Sequence, residues 1–541
     1  MPTPDHEAYR ARTLAWFREH SHAPDVPAQL ERHGQAAAVL WELDLDAARP
    51  HLAGCYAPSP RGGDPWDPIL MLRCLLLMLL VGQPSINKWI RDLAANRVLR
   101  VLAGLPADEW PGVGTLYDFL HRLHDGSIRG GCEHQERPSE AERRRSRSPR
   151  LLQRTEKPPA PPKKGGRRGR KQRKRDKAAV TAPAVHEAVT AKLAAELAAS
   201  AALPNPDDLL GRLSAILLAV GVQPSAARGL LGDVRKLTVS GDGSPLVTGA
   251  SRYGKRTCDH PKTERCDCPR IFDDPDARVG YDSHRERYIF GHHFYEDSVS
   301  VAGHDLPLAI RLDPGNTTDY TASLLTLDRL RKALAPLGMG IRHFIADAGH
   351  DGEANYRYCV EAGILPLIPL RGEAPATHPE RPDLRLSKRG VPTCQANVEM
   401  VPNGSAGEHR KIFMCPVKAG KLKRCPLAPP EQPDWLCQPE TKHGPTVTVN
   451  VLSNPRLCPP IPRNSPKFAE LMRLRSGCER SNSVKKEAFK LEDARHRRAS
   501  FWLMRLHFIA VLQHARAWVD DGAARRLVDH LLGREPAQQA A

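Results

Sequence analysis

The most apolar run of the chain lacks the length to cross a bilayer. That run, PILMLRCLLLMLLVG from residue 68, falls short of the roughly 20 residues a spanning helix needs, and Arg73 interrupts it. That run reads as a buried helix, so no membrane partner is expected. No secretory leader is expected. The chain opens MPTPDHEAYRARTLAWF, charged where a leader needs an apolar stretch. The 13 cysteines are an odd number spread over 541 residues, not a compact framework. Reduced thiols in a cytoplasm are therefore expected rather than disulfides. Acidic residues are in deficit, 62 against 80 Lys and Arg, for a net charge of +18. Such an excess points to a polyanionic partner.

The excess is concentrated. AERRRSRSPRLLQRTEKPPAPPKKGGRRGRKQRKRDK, residues 141–177, holds 17 Lys or Arg against 3 acids and little to bury. Residues 136–180 read as a disordered basic linker suited to non-specific phosphate contact. Before it, residues 1–135 read as helical. PSINKWIRDLAANRVLRVLAGL predicts one helix ending at Gly104, and GTLYDFLHRLHDG places Thr115 and Asp118 like a capping box. A helix-turn-helix DNA reader and a plain helical bundle both fit. Two more helices are expected in a connector at 181–234, in PAVHEAVTAKLAAELAAS and PDDLLGRLSAILLAVG.

From residue 235 the pattern changes. KLTVSGDG, RYIFGHHFYEDSVS and LPLAIRLDP read as three successive strands. TASLLTLDRLRKALAPLG reads as a helix, IRHFIADAGHD as a strand, GEANYRYCVEAG as a helix and ILPLIPL as a strand. Residues 372–464, rich in Pro, Cys and charge, read as an insertion. Helices return over 465–524, with a tail at 525–541. Three strands followed by alternating helix and strand is the element order of the ribonuclease H-like fold. The expected class is thus α/β: a ribonuclease H-like mixed-sheet catalytic core (235–371 and 465–524), interrupted by an insertion and preceded by an all-α N-terminal domain. In that fold one catalytic acid sits on the first strand, another ends the fourth, and a third comes from a helix after the fifth. Asp242, which alone reads equally as an Asp-Gly turn, occupies the first place, and Asp347 the second.

The third place falls on FAELMRLRSGCERSNSVKKEAFKLEDARHRR. Arg475 lies four residues before Glu479, Met472 seven before and Lys486 seven after. Those offsets share one face of a helix with 3.6 residues per turn. The segment resembles the Tyr-x2-Arg-x3-Glu-x6-Lys signature of bacterial insertion-sequence transposases of the Asp-Asp-Glu (DDE) class, with Met472 where Tyr is usual. GDGS resembles the segment around that family's first aspartate, and ADAGHD that around its second. DPWDPILMLRCLLLMLLVGQPSINKWIRDLAANRVLRVLAGL is similar to its helical N-terminal domain. The resemblance covers roughly residues 60–125, 235–370 and 465–520.

The resemblance implies a catalytic set of Asp242, Asp347 and Glu479 holding two Mg2+ or Mn2+ ions. Asp242 would face both ions; Asp347 and Glu479 would each complete one site. Arg475 and Lys486 would contact DNA. Two ions about 4 Å apart suit phosphodiester chemistry, and Mg2+ prefers hard oxygen ligands. Further implications are cleavage at terminal inverted repeats, strand transfer of the freed 3′-hydroxyl into target DNA, a homodimer pairing both ends, and a bacterial, nucleoid-associated location. A catalytically inactive DNA-binding derivative and a ribonuclease H-like nuclease without strand transfer are the rival readings.

Other residues carry plainer expectations. Asp351 is expected to cap a helix, Asp282, Glu286 and Asp297 to lie at the surface, and His292 and His293 to flank the site. CDHPKTERCDC brings Cys258, His260, Cys266 and Cys268 within eleven residues, a possible structural zinc site. Cys394, Cys415, Cys425, Cys437 and Cys458 form a second, more irregularly spaced set.

Overall fold

The structure, a computed structural model, describes residues 5–56, 65–125, 208–256, 258–260, 270–282 and 285–534. The expected basic linker and the helix expected in PAVHEAVTAKLAAELAAS lie outside them.

Residues up to 125 are helical where described: α1 (His6–Glu19), α2 (Val26–Arg32), α3 (Gly34–Glu42), α4 (Arg49–Ala53), α5 (Pro68–Leu80), α6 (Ile86–Ala95), α7 (Arg97–Leu102) and α8 (Val113–Asp125). The apolar run from residue 68 becomes α5. Asp67 caps it by accepting from the Ile69 N–H, and Pro68 occupies the first turn, where its missing donor costs nothing. Being apolar all round, α5 is buried nearly all round. Its Arg73 is only 2 % exposed and stacks over the Tyr9 ring at 3.9 Å. The single helix expected over 85–104 is two: Asn96 accepts from the Leu99 N–H and starts α7 afresh. A local side-chain cap there outcompetes continuation of the helix. In α8, Thr115 falls inside the first turn because the helix starts at Val113, so it is not the expected cap.

After α9 (Leu209–Leu217) comes a π-helical turn, Leu218–Val222, and then α10 (Gln223–Ala227). Leu209–Ala227 is the one described stretch long and apolar enough to cross a membrane, and half of it is buried inside the fold.

The main sheet contains β1 (Leu237–Val247), β4 (Arg278–Asp282), β5 (Arg287–Val301), β6 (His304–Pro314), β7 (Ile341–Ile345) and β8 (Leu365–Leu367). β5 pairs antiparallel with both β1 and β6; β7 runs parallel to β1, and β8 parallel to β7. The helices α11 (Asp319–Leu334) and α12 (Glu353–Glu361) supply the crossovers that parallel pairing requires. This mixed α/β arrangement is consistent with a ribonuclease H-like DDE domain. β4 and the short pair β2 (Lys255–Arg256) and β3 (Arg270–Ile271) are additions that the alternation pattern does not signal.

The α15 helix (Ala499–Ala517) is buried along most of its length and packs on β6 and α9. One continuous hydrophobic core joins the sheet, α15, α16 (Ala523–Leu531) and the N-terminal helices. Residues 372–464 instead have a small core of their own, with Leu384, Leu386, Met400, Phe413 and Leu457. It lies among the short strands β9 (Thr377–His378), β10 (Arg381–Arg385), β11 (Val401–Ser405), β12 (Arg410–Met414) and β13 (Val447–Asn450). Buried ionic groups tie this segment to the sheet. Arg456 makes a two-point bond to Asp351 at 2.9 and 2.7 Å. Arg463 donates to the Ile368 carbonyl at 3.1 Å and to the Tyr356 hydroxyl at 2.8 Å. Asp351 is therefore an anchor, not the expected cap; Gly352 stands at the start of α12.

Candidate active site

Asp242 lies within β1, not in a turn: the strand runs on to Val247, paired with β5 throughout. Ser240 is level with Ile345 across the parallel pair. Continuing that register by two residues brings Asp242 alongside Asp347, just past the end of β7. The two acids, far apart in sequence, thus come together because two strands are parallel neighbours.

The third element differs from expectation. Residues 466–487 are not one helix but α13 (Pro466–Met472), a 3-10 turn at Arg473–Arg475, and α14 (Ser476–Glu487). Met472 and Arg475 therefore stand outside α14. The Arg475–Glu479 pair still forms, at 2.7 Å. Lys486 donates to the Ser244 hydroxyl on β1 at 2.7 Å, so both expected cations lie along the site's rim.

What holds α14 over the sheet is its other face. Gly477, Cys478, Ser481, Asn482 and Lys485 are buried. A Cβ at Gly477 would come within 1.7 Å of the Ser300 hydroxyl, so only glycine lets the helix lie this close. Arg480 grips Asp305 at 2.7 and 2.8 Å. Lys485 pairs with Glu296, the cross-strand neighbour of Asp242, at 2.5 Å, and neither side chain is exposed. Burial pushes the Lys485 ammonium below its ordinary range while Glu296 pulls it back up. Asn482 points its amide at Asp242 from 3.5 Å.

The electrostatics show which acids share the cleft. Burial raises Asp242 to about 6; Asp319 then adds to the rise, His350 opposes it, and Asp347 and Glu479 add further. Asp347 is held below the ordinary carboxylate range, first by a hydrogen bond with His350. The His350 Nδ1 lies 2.6 Å from Asp347, and its Nε2 lies 3.0 Å from the Tyr295 hydroxyl. Asp347 is thereby oriented by a buried His–Tyr chain.

Among the described residues, no three Asp, Glu, His or Cys side chains already form a metal cage. The donor type nevertheless suits a hard divalent cation: Asp242 and Asp347 are carboxylates on, and just past the end of, neighbouring parallel strands, and burial raises the first of them.

The raised Asp242 has a consequence for stability. Its folded-state pKa of about 6 exceeds the ordinary 3.8, so the folded state holds its proton more tightly than the unfolded state. Metal-free protein should therefore lose stability as pH rises through roughly 4 to 6, by up to about 3 kcal/mol from this group. Chemical denaturation at pH 4.5 and 7 checks this; magnesium should recover the loss at pH 7.

Several site residues were not singled out from the sequence. Asp319, at the start of α11, lies 2.9 Å from His293 on β5. His292, by contrast, turns to Asp274 at 2.9 Å, away from the acids. Asp282 and Asp297 are buried, not at the surface as expected. The available signal was Gly-Asp-Gly at 241–243: glycines alternating on one strand face mark close approach as readily as a turn.

Of the proposed zinc ligands, Cys258 and His260 are described and Cys266 and Cys268 lie outside the described residues. In the insertion, Cys437 neighbours Cys425, Cys415 and Cys394, whereas Cys458 packs into the small core. No disulfide joins the ten described cysteines.

The mixed sheet sets Asp242, within β1, beside Asp347, just past the end of β7. Residues 256–512 match the family model described as the transposase DDE domain, a match that supports a DDE-class transposase. The match contains Asp347 and Glu479, while Asp242 lies just upstream. No curated protein and no solved structure matches the chain.

Proposed function

We propose that the protein is a DNA transposase that cleaves at the ends of an insertion sequence and joins the freed 3′ end to target DNA. What supports this is the strand register that brings Asp242 alongside Asp347, together with the Asn482 amide 3.5 Å from Asp242, which lays the helix of Glu479 over the same strand. These acids would hold two Mg2+ or Mn2+ ions, which when bound supply an activated nucleophile and stabilise the leaving oxygen. The chain's own residues do the rest. His350, braced by Tyr295, fixes the Asp347 carboxylate. Arg475 and Lys486 contact the DNA backbone beside the cut, where charge-assisted bonds to phosphate set register. The basic segment at 141–177 adds affinity without sequence preference. The protein works as a homodimer on paired terminal inverted repeats, in a bacterial cytoplasm and near the nucleoid.

The test incubates purified protein and Glu479→Ala with magnesium and DNA carrying the gene's own flanks, mapping cuts and joined products to the nucleotide. Wild type should cut at the repeats and join; the variant should bind and do neither. Cutting without joining would make the protein a nuclease. Binding without cutting, in manganese as well, would make it an inactive DNA-binding derivative.

A further inference from the structure

Tyr281 and Tyr288 are cross-strand neighbours where β4 pairs with the start of β5. Their rings meet edge-on at 5.2 Å, yet they stay 57 % and 75 % exposed. Among the described residues no other large apolar side chain is as exposed as Tyr288. Pairing across strands does not require aromatic faces left open to water. The pair looks out on the side of the sheet that carries Asp242. Side chains alternate along a strand, so Tyr288 shares a face with Glu296, an even number of residues further on. Glu296 is level with Asp242, and the register of β5 with β1 runs unbroken from Gly291 to Val299. Tyr288 therefore lies about 26 Å along β5 from the level of Asp242.

Cations occupy the ground between. Lys486 donates to Ser244, two residues beyond Asp242 on β1. Glu492 links that lysine to the hairpin: it lies 3.6 Å from Lys486, and Arg285 donates to both its oxygens, at 3.0 and 2.8 Å. Past the end of β1, the His496 carbonyl accepts from the Gly249 N–H at 2.9 Å and from the Thr248 hydroxyl at 3.1 Å. These bonds seat three exposed arginines, Arg495, Arg497 and Arg498, near the base of the hairpin, where Val247 is level with Gly291. A polyanion running from Asp242 toward the hairpin would meet positive charge along its way and two open aromatic faces beyond it. Bases within a duplex already stack on one another; unpaired bases are free to stack on protein rings instead.

Resting on the transposase reading above, we propose that Tyr281 and Tyr288 form a stacking platform for unpaired bases of the DNA strand that runs past the cleavage site, with Arg495, Arg497 and Arg498 taking its phosphates. The acids at the cut follow from the DDE class; the platform follows from two exposed rings on the face of the sheet that carries Asp242.

The test measures binding by the full-length protein in EDTA, so that no cleavage intervenes. Two DNAs carry the gene's own flanks: a blunt duplex, and the same duplex with either strand left unpaired beyond the element end. 2-Aminopurine in the unpaired strand reports stacking through loss of its fluorescence. Tyr281→Ala with Tyr288→Ala should weaken binding to the part-unpaired DNA roughly tenfold or more and restore the fluorescence, while the blunt duplex binds as to wild type. Tyr281→Phe with Tyr288→Phe, which keeps both rings, should bind and quench as wild type does. Thermal melts show whether the alanine variant folds; if it does not, Tyr288→Ala alone decides by the same readouts. Equal losses on both DNAs, or no loss and no change in quenching, overturn the platform. A change in sedimentation of the DNA-free variant with DNA binding intact also overturns it, making the pair a contact between two copies of the chain. If wild type cuts and joins while the alanine variant binds part-unpaired DNA unchanged, the platform is refuted and the transposase reading stands. If wild type shows the tyrosine-dependent binding but cuts nothing in magnesium or manganese, the platform stands and the transposase reading falls. If wild type binds neither DNA, both fall.

Discussion

Asp242→Asn is expected to remove cleavage and, in metal-free protein at neutral pH, to make the fold more stable. The two effects share one origin. Asp242 is largely buried in a cleft with three other acids, and its carboxyl is raised to about 6. Above that pH its charge is held against repulsion and desolvation. Asparagine keeps the shape and removes the charge, so the variant should gain on the order of 1–3 kcal/mol at pH 7. In the proposed site the same substitution removes the acid that would face both ions. Losing several kcal/mol of transition-state stabilisation corresponds to a fall of roughly 10^3-fold or more in cleavage rate. Denaturation in the presence of EDTA, cleavage with magnesium and a DNA-binding assay check the three parts. A fall in stability, or cleavage within tenfold of wild type, would place Asp242 outside the working site. Opposed changes in stability and activity are the mark of a residue retained for chemistry.

Lys485→Met should carry the largest cost to folding. Lys485 and Glu296 are fully buried, 2.5 Å apart, under α14. Ser481 donates to the same carboxylate at 2.6 Å, and Gln513 donates to the Ser481 hydroxyl at 3.0 Å. Taking away the ammonium leaves a carboxylate in a dry interior with one remaining donor. Removing one partner of such a pair costs about 3–5 kcal/mol. The damage is local to function, because the pair fastens the helix carrying Glu479 to the strand facing Asp242. Glu296→Gln combined with Lys485→Met should recover much of the loss, since no uncompensated charge remains. Urea denaturation of the two single variants and the double variant gives the coupling directly. Additive losses would show that the pair does not hold α14 down.

These cases also mark what was legible in the sequence. The strand and helix order from residue 237 to 367 could be read from hydrophobic alternation and turn residues, because each element buries one face in the ordinary way. Asp242 and Asp347 could be placed on that order because a strand's end is a local property. Glu479 was legible through its spacing to Arg475 and Lys486. The helix break at Arg473–Arg475 was not, since nothing in the local composition forbids a continuous helix.

The rest was decided by contacts across sequence. Lys485 reads as an exposed lysine until Glu296 lies beneath it. Asp351 reads as a cap until Arg456, from the insertion, closes on it. Asp319 and His293 read as the start of a helix and part of a strand until β1 presents a glycine to both. By itself, the sequence determined most elements from residue 237 to 367 and their order, and placed Asp242 on the first strand and Asp347 after the strand of residues 341–345, because periodicity and spacing are encoded locally. Only the tertiary structure decided which charges are buried, which acids share a cleft and what fastens them, because those depend on which distant residues come into contact.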